Sequence, residues 1–246
     1  MIERTVLLQS EGSDMPTFLV HPDEGDRFPV VLFLMDALGI REELRDMCRR
    51  IASVGYLVAL PNLYHRDGGP SFDPSTLSTG WLDPRMEALN DALSMEMTVT
   101  DCGAVLAYLR RQRVARLPGA VIGYCMGGRH AIAAAAAFPD DFAAMASLHG
   151  GRLVTEAPDS PHRRLAGMRA EAYFGWAEDD PVAPRSHAQA VESALTARGR
   201  PYRIEHHAGA HHGFTFPERH CYHKPAAETV WSRLFALFQR NLQTAG

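Results

Sequence analysis

The chain has 246 residues and a formal net charge of −4, with apolar residues at 46% and charged residues at 22%. These proportions are typical of a folded globular domain, and the charge argues against a basic surface for nucleic acid or for an anionic membrane. Its longest apolar runs fall far short of a membrane span, and its first residues do not resemble a secretion signal. Four cysteines without CxxC spacing indicate free thiols. We therefore expect a cytoplasmic protein with neither nucleic-acid nor membrane partners.

The predicted elements alternate between strands and helices, as apolar periodicity and turn residues indicate. In chain order they are strands at 4–9 and 17–21, a strand at 29–35, a helix at 41–54, a strand at 56–61, an irregular excursion at 62–85, mostly helical structure at 86–113, a strand at 117–124, a helix at 131–137, strands at 143–148 and 170–174, a helix at 185–198, a strand at 202–206 and a helix at 226–242. This alternation predicts an α/β fold with a mainly parallel central sheet of about eight strands and helices on both faces. The whole chain, 1–246, is expected to form a single domain.

The most informative motif is the turn between the strand at 117–124 and the helix that follows it. Its sequence is Gly-x-Cys-x-Gly, with Cys125 between Gly123 and Gly127. A strand, a tight turn and a helix form the setting of a nucleophile elbow, where small residues are needed because the turn is strained and the strand packs closely on the helix. The nucleophile at this elbow would be a thiol rather than the usual hydroxyl. Cys125 is therefore the candidate nucleophile.

An elbow nucleophile requires an acid at a later strand end. Three carboxylates follow the predicted strand at 170–174, namely Glu178, Asp179 and Asp180. We favour Asp180 because it directly precedes the Pro-Val-Ala-Pro segment that begins the next helix, whereas the other two are free to point to solvent. Asp179 is the first alternative and Glu178 the second.

A histidine should follow the acid in chain order. His212 precedes Gly-Phe on a small-residue loop that can bend over the elbow, and His211 is the alternative. His207 and His211 could also be interpreted as a metal-binding His-x-x-x-His pair. That interpretation needs a helix, which Gly209 and the adjoining strand disfavour, and no further ligand is evident. We therefore interpret His212 as a catalytic base and expect no metal.

The chemistry explains why these residue types belong together. A thiol with a pKa of about 8.5 is mostly protonated at pH 7, so it needs a histidine to take its proton and a carboxylate to orient the resulting imidazolium. The dipole of the helix that begins after Cys125 also favours the thiolate. Two backbone N–H groups must stabilise the oxyanion. We expect them to be those of Met126, directly after the nucleophile, and Ala37, in the loop after the strand at 29–35.

Over nearly its whole length, the chain resembles the dienelactone hydrolase family, the carboxymethylenebutenolidases of the α/β-hydrolase superfamily. The resemblance rests on Gly-Tyr-Cys-Met-Gly-Gly at 123–128, Asp-Pro-Val-Ala-Pro at 180–184 and Gly-Ala-His-His-Gly-Phe at 209–214, with support from 55–64 and 222–231. It implies an α/β-hydrolase fold in which Cys125 is the nucleophile, Asp180 the acid and His212 the base.

Two positions depart from the family pattern. Well-known members carry a glutamate that helps to activate the thiol, and the matching residue here is Asp36, one methylene shorter. We expect Asp36 to support the nucleophile, to hold the oxyanion loop or to contact substrate. Those members also have an arginine shortly after the catalytic histidine that grips a substrate carboxylate, but here the next arginine is Arg219. Other candidates for substrate binding are Tyr64, Arg66, Trp81, Arg85, Arg129 and Phe214.

These observations predict a hydrolase that cleaves a lactone, ester or thioester bond through an acyl-cysteine intermediate. We expect a small-molecule substrate, no metal or organic cofactor, and a monomer or weak homodimer. The alternative is a non-catalytic or redox-sensing protein on the same fold, because an activated thiol also suits oxidation.

Overall fold

Eight strands form one sheet in the computed structural model, which describes residues 1–79 and 82–243. They are β1 (Ile2–Ser10), β2 (Ser13–His21), β3 (Phe28–Leu34), β4 (Leu57–Pro61), β5 (Ala115–Tyr124), β6 (Phe142–Leu148), β7 (Glu171–Asp179) and β8 (Tyr202–His211). Their order across the sheet is β1-β2-β4-β3-β5-β6-β7-β8. The first hairpin is antiparallel, and β4, β3, β5, β6, β7 and β8 run parallel. The predicted mainly parallel sheet is confirmed.

Helices connect the parallel strands. They are α1 (Glu42–Ala52), α2 (Pro84–Ala92), α3 (Met95–Leu109), α4 (Met126–Ala137), α5 (Pro161–Arg164), α6 (Arg185–Arg198) and α7 (Lys224–Leu242). The predicted helical stretch at 86–113 is divided because Ser94 caps a new helix, its hydroxyl accepting the Met97 N–H at 3.1 Å. The excursion after β4 contains short 3₁₀ turns at His65–Asp67 and Pro74–Thr79. Within the described ranges, no helix has the length and apolar character needed to cross a membrane.

Both faces of the sheet are buried, as parallel strands require. Along β3, Val31 and Phe33 point into a core that α1 and α7 cover, whereas Val30 and Leu32 point into a second core beneath α3, α4 and α6. The uninterrupted apolar sequence of β3 is therefore explained by burial of alternate residues on opposite sides. The prediction of helices on both faces is confirmed.

Strands β7 and β8 are longer than predicted, and the extra residues lead to the candidate site. The apolar signal ends near 174 and 206, but backbone pairing continues until Asp179 lies opposite His211. The end of a strand gives no apolar run when its side chains are polar, so an apolar pattern underestimates the length of the strand. Since the two strands are parallel, the residues that follow them, Asp180 and His212, emerge side by side at the carboxyl edge of the sheet.

Candidate active site

Cys125 occupies a strained turn between β5 and α4. Its backbone has φ 51° and ψ −115°, a conformation that is costly for a residue with a side chain. The turn closes tightly: a Cβ on Gly123 would collide with the carbonyl of Gly127, and one on Gly127 would collide with the Leu34 carbonyl. The Cys125 N–H donates to the carbonyl of Leu148 in β6 at 3.0 Å. The thiol is thereby presented at the amino terminus of α4, partly exposed.

His212 lies between the thiol and a buried carboxylate. Its Nε2 is 3.1 Å from Cys125 Sγ, and its Nδ1 is 2.8 Å from Asp180 Oδ2. The other oxygen of Asp180 accepts backbone N–H groups from Val182 and Ala183 at 2.9 and 3.0 Å. Every oxygen of this buried carboxylate therefore has a partner, and the carboxylate orients the imidazole with Nε2 toward the sulfur.

The alternative acids and base lie elsewhere. Asp179 and His211 face each other at 3.4 Å, but their side chains are 78% and 60% exposed. Glu178 accepts the Gly209 N–H at 2.9 Å. The structure thus brings together Cys125 with the favoured pair, whereas the runner-up pair stays at the surface.

The thiol and the imidazole shift each other's protonation. Burial alone would raise the pKa of Cys125, but the charge of His212 and its hydrogen bond lower it below its ordinary value. Burial alone would lower the pKa of His212, but the charge of the Cys125 thiolate and the bond to Asp180 raise it to about 10. Both directions favour a thiolate–imidazolium pair, the reactive form of a catalytic cysteine.

The two expected oxyanion donors belong to Met126, directly after Cys125, and to Ala37, in the loop after β3. Within the described residues, neither the Met126 N–H nor the Ala37 N–H donates to a protein acceptor. Tyr64, a candidate for substrate binding, is instead built into this region: its hydroxyl donates to the Ala37 carbonyl at 3.1 Å and contacts Met126 Sδ at 3.2 Å. Tyr64 therefore braces the loop that carries one donor against the residue that carries the other.

Asp36 belongs to a buried ionic cluster. Its carboxylate accepts hydrogen bonds from Arg41 at 2.8 and 3.1 Å, from the Leu38 N–H at 3.2 Å, and from Arg219. Arg41 also binds Glu43, and both guanidinium groups lie over the ring of Phe216. The charge of Asp36 raises the pKa of Cys125 rather than lowering it, and that of Arg219 lowers it. Asp36 thus connects the loop after β3 to the segment after His212.

Several candidates for substrate binding have other partners. Arg66 is held by the buried Asp101 at 2.8 and 3.0 Å and by Glu11 at 2.7 Å. Arg85 is exposed on α2, and Phe214 is fully buried. Trp81 lies outside the described residues.

Arg129 differs from the other arginines near the thiol. It is only 7% exposed, and within the described residues its guanidinium forms no ion pair. Its Nη2 donates to the carbonyl and side-chain oxygens of Asn90 at 2.9 and 2.8 Å. Burial lowers the pKa of Arg129 to about 10, and the nearby Cys125 thiolate opposes that shift. A cavity of about 180 Å³ opens beside it, and Arg152, Asp91 and Asp159 also line that cavity.

A cleft of about 680 Å³ lies above the carboxyl edge of the sheet. His212, Arg219 and Cys221 contribute polar groups to its wall, and Leu77, Leu82 and Pro181 contribute apolar ones. Among the described residues, no group of three histidine, cysteine, aspartate or glutamate side chains is arranged to hold a metal ion.

Sequence reasoning overlooked three residues of this region: Arg41, Glu43 and His149. Arg41 and Glu43 lie at the beginning of α1, where charged side chains are usually exposed to solvent. His149 directly follows β6, so the same strand-end rule that identified Cys125 and His212 could have identified it.

Comparison with known proteins gives a consistent result. The model of the dienelactone hydrolase family matches residues 15–242. A Salmonella typhi protein provisionally named carboxymethylenebutenolidase is 29% identical over 238 residues, covering 94% of this chain and 84% of that protein. A Synechocystis protein with the same provisional name is 26% identical over 245 residues, covering 97% and 96%.

Solved structures share the fold. A protein from Klebsiella pneumoniae subsp. pneumoniae, provisionally described as a dienelactone hydrolase, superposes with a TM-score of 0.86 at 25% identity, covering 97% of this chain and 98% of that one. A dienelactone hydrolase-like promiscuous phosphotriesterase from metagenomic libraries gives a TM-score of 0.82 at 18% identity, covering 98% of each chain. At that identity the second likeness shows the fold alone.

Proposed function

Because the chain belongs to the dienelactone hydrolase family and is a hydrolase of that type, we propose that it cleaves a lactone, ester or thioester with Cys125, His212 and Asp180 as its catalytic triad. One observation carries the proposal: His212 contacts Cys125 Sγ at 3.1 Å and Asp180 at 2.8 Å through its two ring nitrogens. This geometry suits a base that takes a proton from the thiol and is oriented by the acid.

In the first half-reaction, the Cys125 thiolate attacks the carbonyl carbon of the substrate. The carbonyl oxygen becomes an oxyanion, which the N–H groups of Met126 and Ala37 stabilise. When the tetrahedral intermediate collapses, the bond to the leaving oxygen or sulfur breaks and the leaving group takes the proton held by His212. An acyl-cysteine thioester remains.

In the second half-reaction, neutral His212 removes a proton from water. The hydroxide attacks the thioester carbonyl, the same two N–H groups stabilise the second oxyanion, and the bond to Cys125 Sγ breaks. The products are a carboxylic acid and the thiolate, with His212 protonated again. Asp180 stabilises the imidazolium in both halves.

Arg129 is proposed to bind an anionic group on the substrate. A buried guanidinium without a carboxylate partner is unusual, because buried charges are normally paired. Arg129 follows Cys125 by one turn of helix, and the charge of the Cys125 thiolate raises the pKa of Arg129 against the lowering by burial, so the two groups are electrostatically coupled. A carboxylate or phosphate on the substrate would supply the missing partner. Arg66 and Arg219 are poorer candidates because carboxylates already hold them.

The nucleophile can be tested by substitution and by trapping. We expect Cys125→Ala to abolish hydrolysis of a p-nitrophenyl ester, and we expect mass spectrometry of the wild type to detect an acyl group on Cys125. Cys221→Ala, which removes the other thiol near the cleft, serves as the matched control and should still form the adduct. Full activity in purified Cys125→Ala would refute the proposal. Oxidation of Cys125 without any acyl adduct would favour the redox-sensing alternative.

The anion-binding role can be tested with two esters of equal length, one ending in a carboxylate and one neutral. A charge-assisted bond of about 2 kcal/mol predicts that Arg129→Met lowers the kcat/KM ratio of anionic to neutral ester about tenfold or more. Arg110→Met, at the opposite edge of the sheet, is the control. An unchanged ratio in Arg129→Met would contradict this role while leaving the triad untouched.

A further inference from the structure

The end of β6 lies between the nucleophile and the base. Cys125 follows β5 and His212 follows β8, so the imidazole reaches the thiol across the ends of β6 and β7. The residue that directly follows β6 is His149. Its N–H donates to the Gly175 carbonyl of β7 at 2.7 Å, and the preceding Leu148 accepts the Cys125 N–H at 3.0 Å. His149 is therefore tied by its own N–H to β7, and the residue before it is tied to Cys125 at the end of β5.

The side chain of His149 packs against the ring of His212. The two ring centroids are 5.2 Å apart and the ring planes are inclined by 74°, an edge-to-face arrangement. Phe214 and Phe216 hold His149 in the same manner from the loop after His212, at 5.5 and 5.4 Å. On the same loop, the hydroxyl of Thr215 is 2.7 Å from His149 Nε2. The ring is fully buried and held on several sides.

Two features of His149, its backbone conformation and a ring nitrogen unpaired within the described part of the chain, are unfavourable and must be maintained by the surrounding structure. Its φ of 38° lies in the left-handed region, which is unfavourable for a residue with a side chain. Its Nδ1 is buried and has no hydrogen-bond partner among the described residues. Burial, reinforced by the charges of His212 and Arg219, holds the pKa of His149 well below its ordinary value, so the ring stays neutral beside the imidazolium.

We propose that His149 is a positioning residue for His212: its ring fixes the plane of the His212 imidazole so that Nε2 faces Cys125 Sγ, and the Thr215 hydroxyl fixes the ring of His149 in turn. The bond to Asp180 fixes Nδ1 but leaves the His212 ring able to tilt about that atom. The edge-to-face contact with His149 removes that freedom. The proposal rests on the proposed triad, but its test does not require turnover.

The readout is the titration of the Cys125 thiolate, followed by the pH dependence of its alkylation by iodoacetamide and located by mass spectrometry. In His149→Ala, a mobile His212 stabilises the thiolate less, so we expect the apparent pKa of Cys125 to rise by about one unit or more. On an activated ester, kcat should fall on the order of ten- to a hundredfold with KM nearly unchanged. His149→Phe keeps a ring against His212 but loses the bond to Thr215, so the pKa of Cys125 should rise less than in His149→Ala.

The chain offers a matched control in His130 on α4. It too is a fully buried histidine with its pKa held well below the ordinary value, bonded to a threonine hydroxyl, Thr98, at 2.9 Å. His130→Ala therefore removes an equivalent side chain without touching the ring of His212, and its Cys125 titration should match the wild type. An equal shift in both alanine variants, or no shift in His149→Ala, would overturn the proposal.

If His149→Ala does not fold, Thr215→Val replaces it as the test. Valine keeps the shape of threonine but removes the hydroxyl that holds His149, so the pKa of Cys125 should rise in the same direction by a smaller amount. A wild-type titration in Thr215→Val would overturn the proposal. Absence of ester hydrolysis in the wild type, with the Cys125 titration still shifted in His149→Ala and unshifted in His130→Ala, would instead point to a failure of the proposed function.

Discussion

The strongest influence that favours the Cys125 thiolate is the neighbouring ring of His212. Burial opposes the thiolate, and the imidazolium of His212 more than offsets that cost, so the net shift of the Cys125 pKa is downward. Asp180 in turn helps to hold the pKa of His212 at about 10. The thiolate–imidazolium pair therefore exists in the pH range between the lowered pKa of Cys125 and the raised pKa of His212.

This pairing predicts a bell-shaped pH dependence of kcat/KM. Activity should rise as the thiolate forms, at a pH below the ordinary value for cysteine, and should fall near pH 10 as His212 loses its proton. In His212→Gln the thiol keeps the desolvation that opposes its charge but loses its cationic partner, so its pKa should move above the ordinary value. Alkylation of Cys125 across the pH range measures this shift.

His211→Gln is the matched control for that experiment. This histidine is adjacent in sequence, but it is exposed and pairs with Asp179 rather than with the thiol. Its Cys125 titration should equal that of the wild type. A similar pKa for Cys125 in the wild type and in His212→Gln would contradict the ion pair.

At the level of elements, the buried cluster around Asp36 joins three separate segments. Asp36 follows β3, Arg41 directly precedes α1, and Arg219 lies in the loop after β8. The loop with the Ala37 donor and the loop that begins with His212 are thereby fixed to the same carboxylate. The sequence suggested a role for Asp36 beside the thiol, and the structure shows its hydrogen bonds going to the two arginines and the Leu38 N–H.

Removing this carboxylate should be costly. Asp36→Ala leaves two guanidinium groups buried without their shared partner, and breaking a buried pair in this way costs about 3–5 kcal/mol. Chemical denaturation should detect that loss in the free energy of unfolding. Asp140→Ala, which breaks an exposed pair with Arg169, should cost far less. Equal losses in the two variants would show that the buried cluster contributes no more to the free energy of unfolding than an exposed pair does.

Over the whole molecule, apolar runs and their spacing were enough to predict the sheet, because parallel strands buried on both faces leave a continuous apolar signal, as in β3. The order Cys125, Asp180, His212 could be predicted because Cys125 directly follows the predicted strand at 117–124, Asp180 precedes Pro-Val-Ala-Pro and His212 precedes Gly-Phe. The partners of Asp36 and the contact between His149 and His212 could not be derived. They depend on how loops fold over the edge, and no periodicity in the sequence encodes that path.

The pairing of Asp179 with His211 has a consequence for how this site can change. The residues just beyond that pair, Asp180 and His212, have the same chemical types but the opposite exposure. Successive side chains in a strand point to opposite faces. Shifting β7 or β8 by a single residue would therefore pair a buried aspartate with an exposed histidine, or the reverse. A one-residue deletion in β7 would thus be compensated only by a deletion in β8. We therefore expect a change of length in β7 to be tolerated only when β8 changes by the same number of residues.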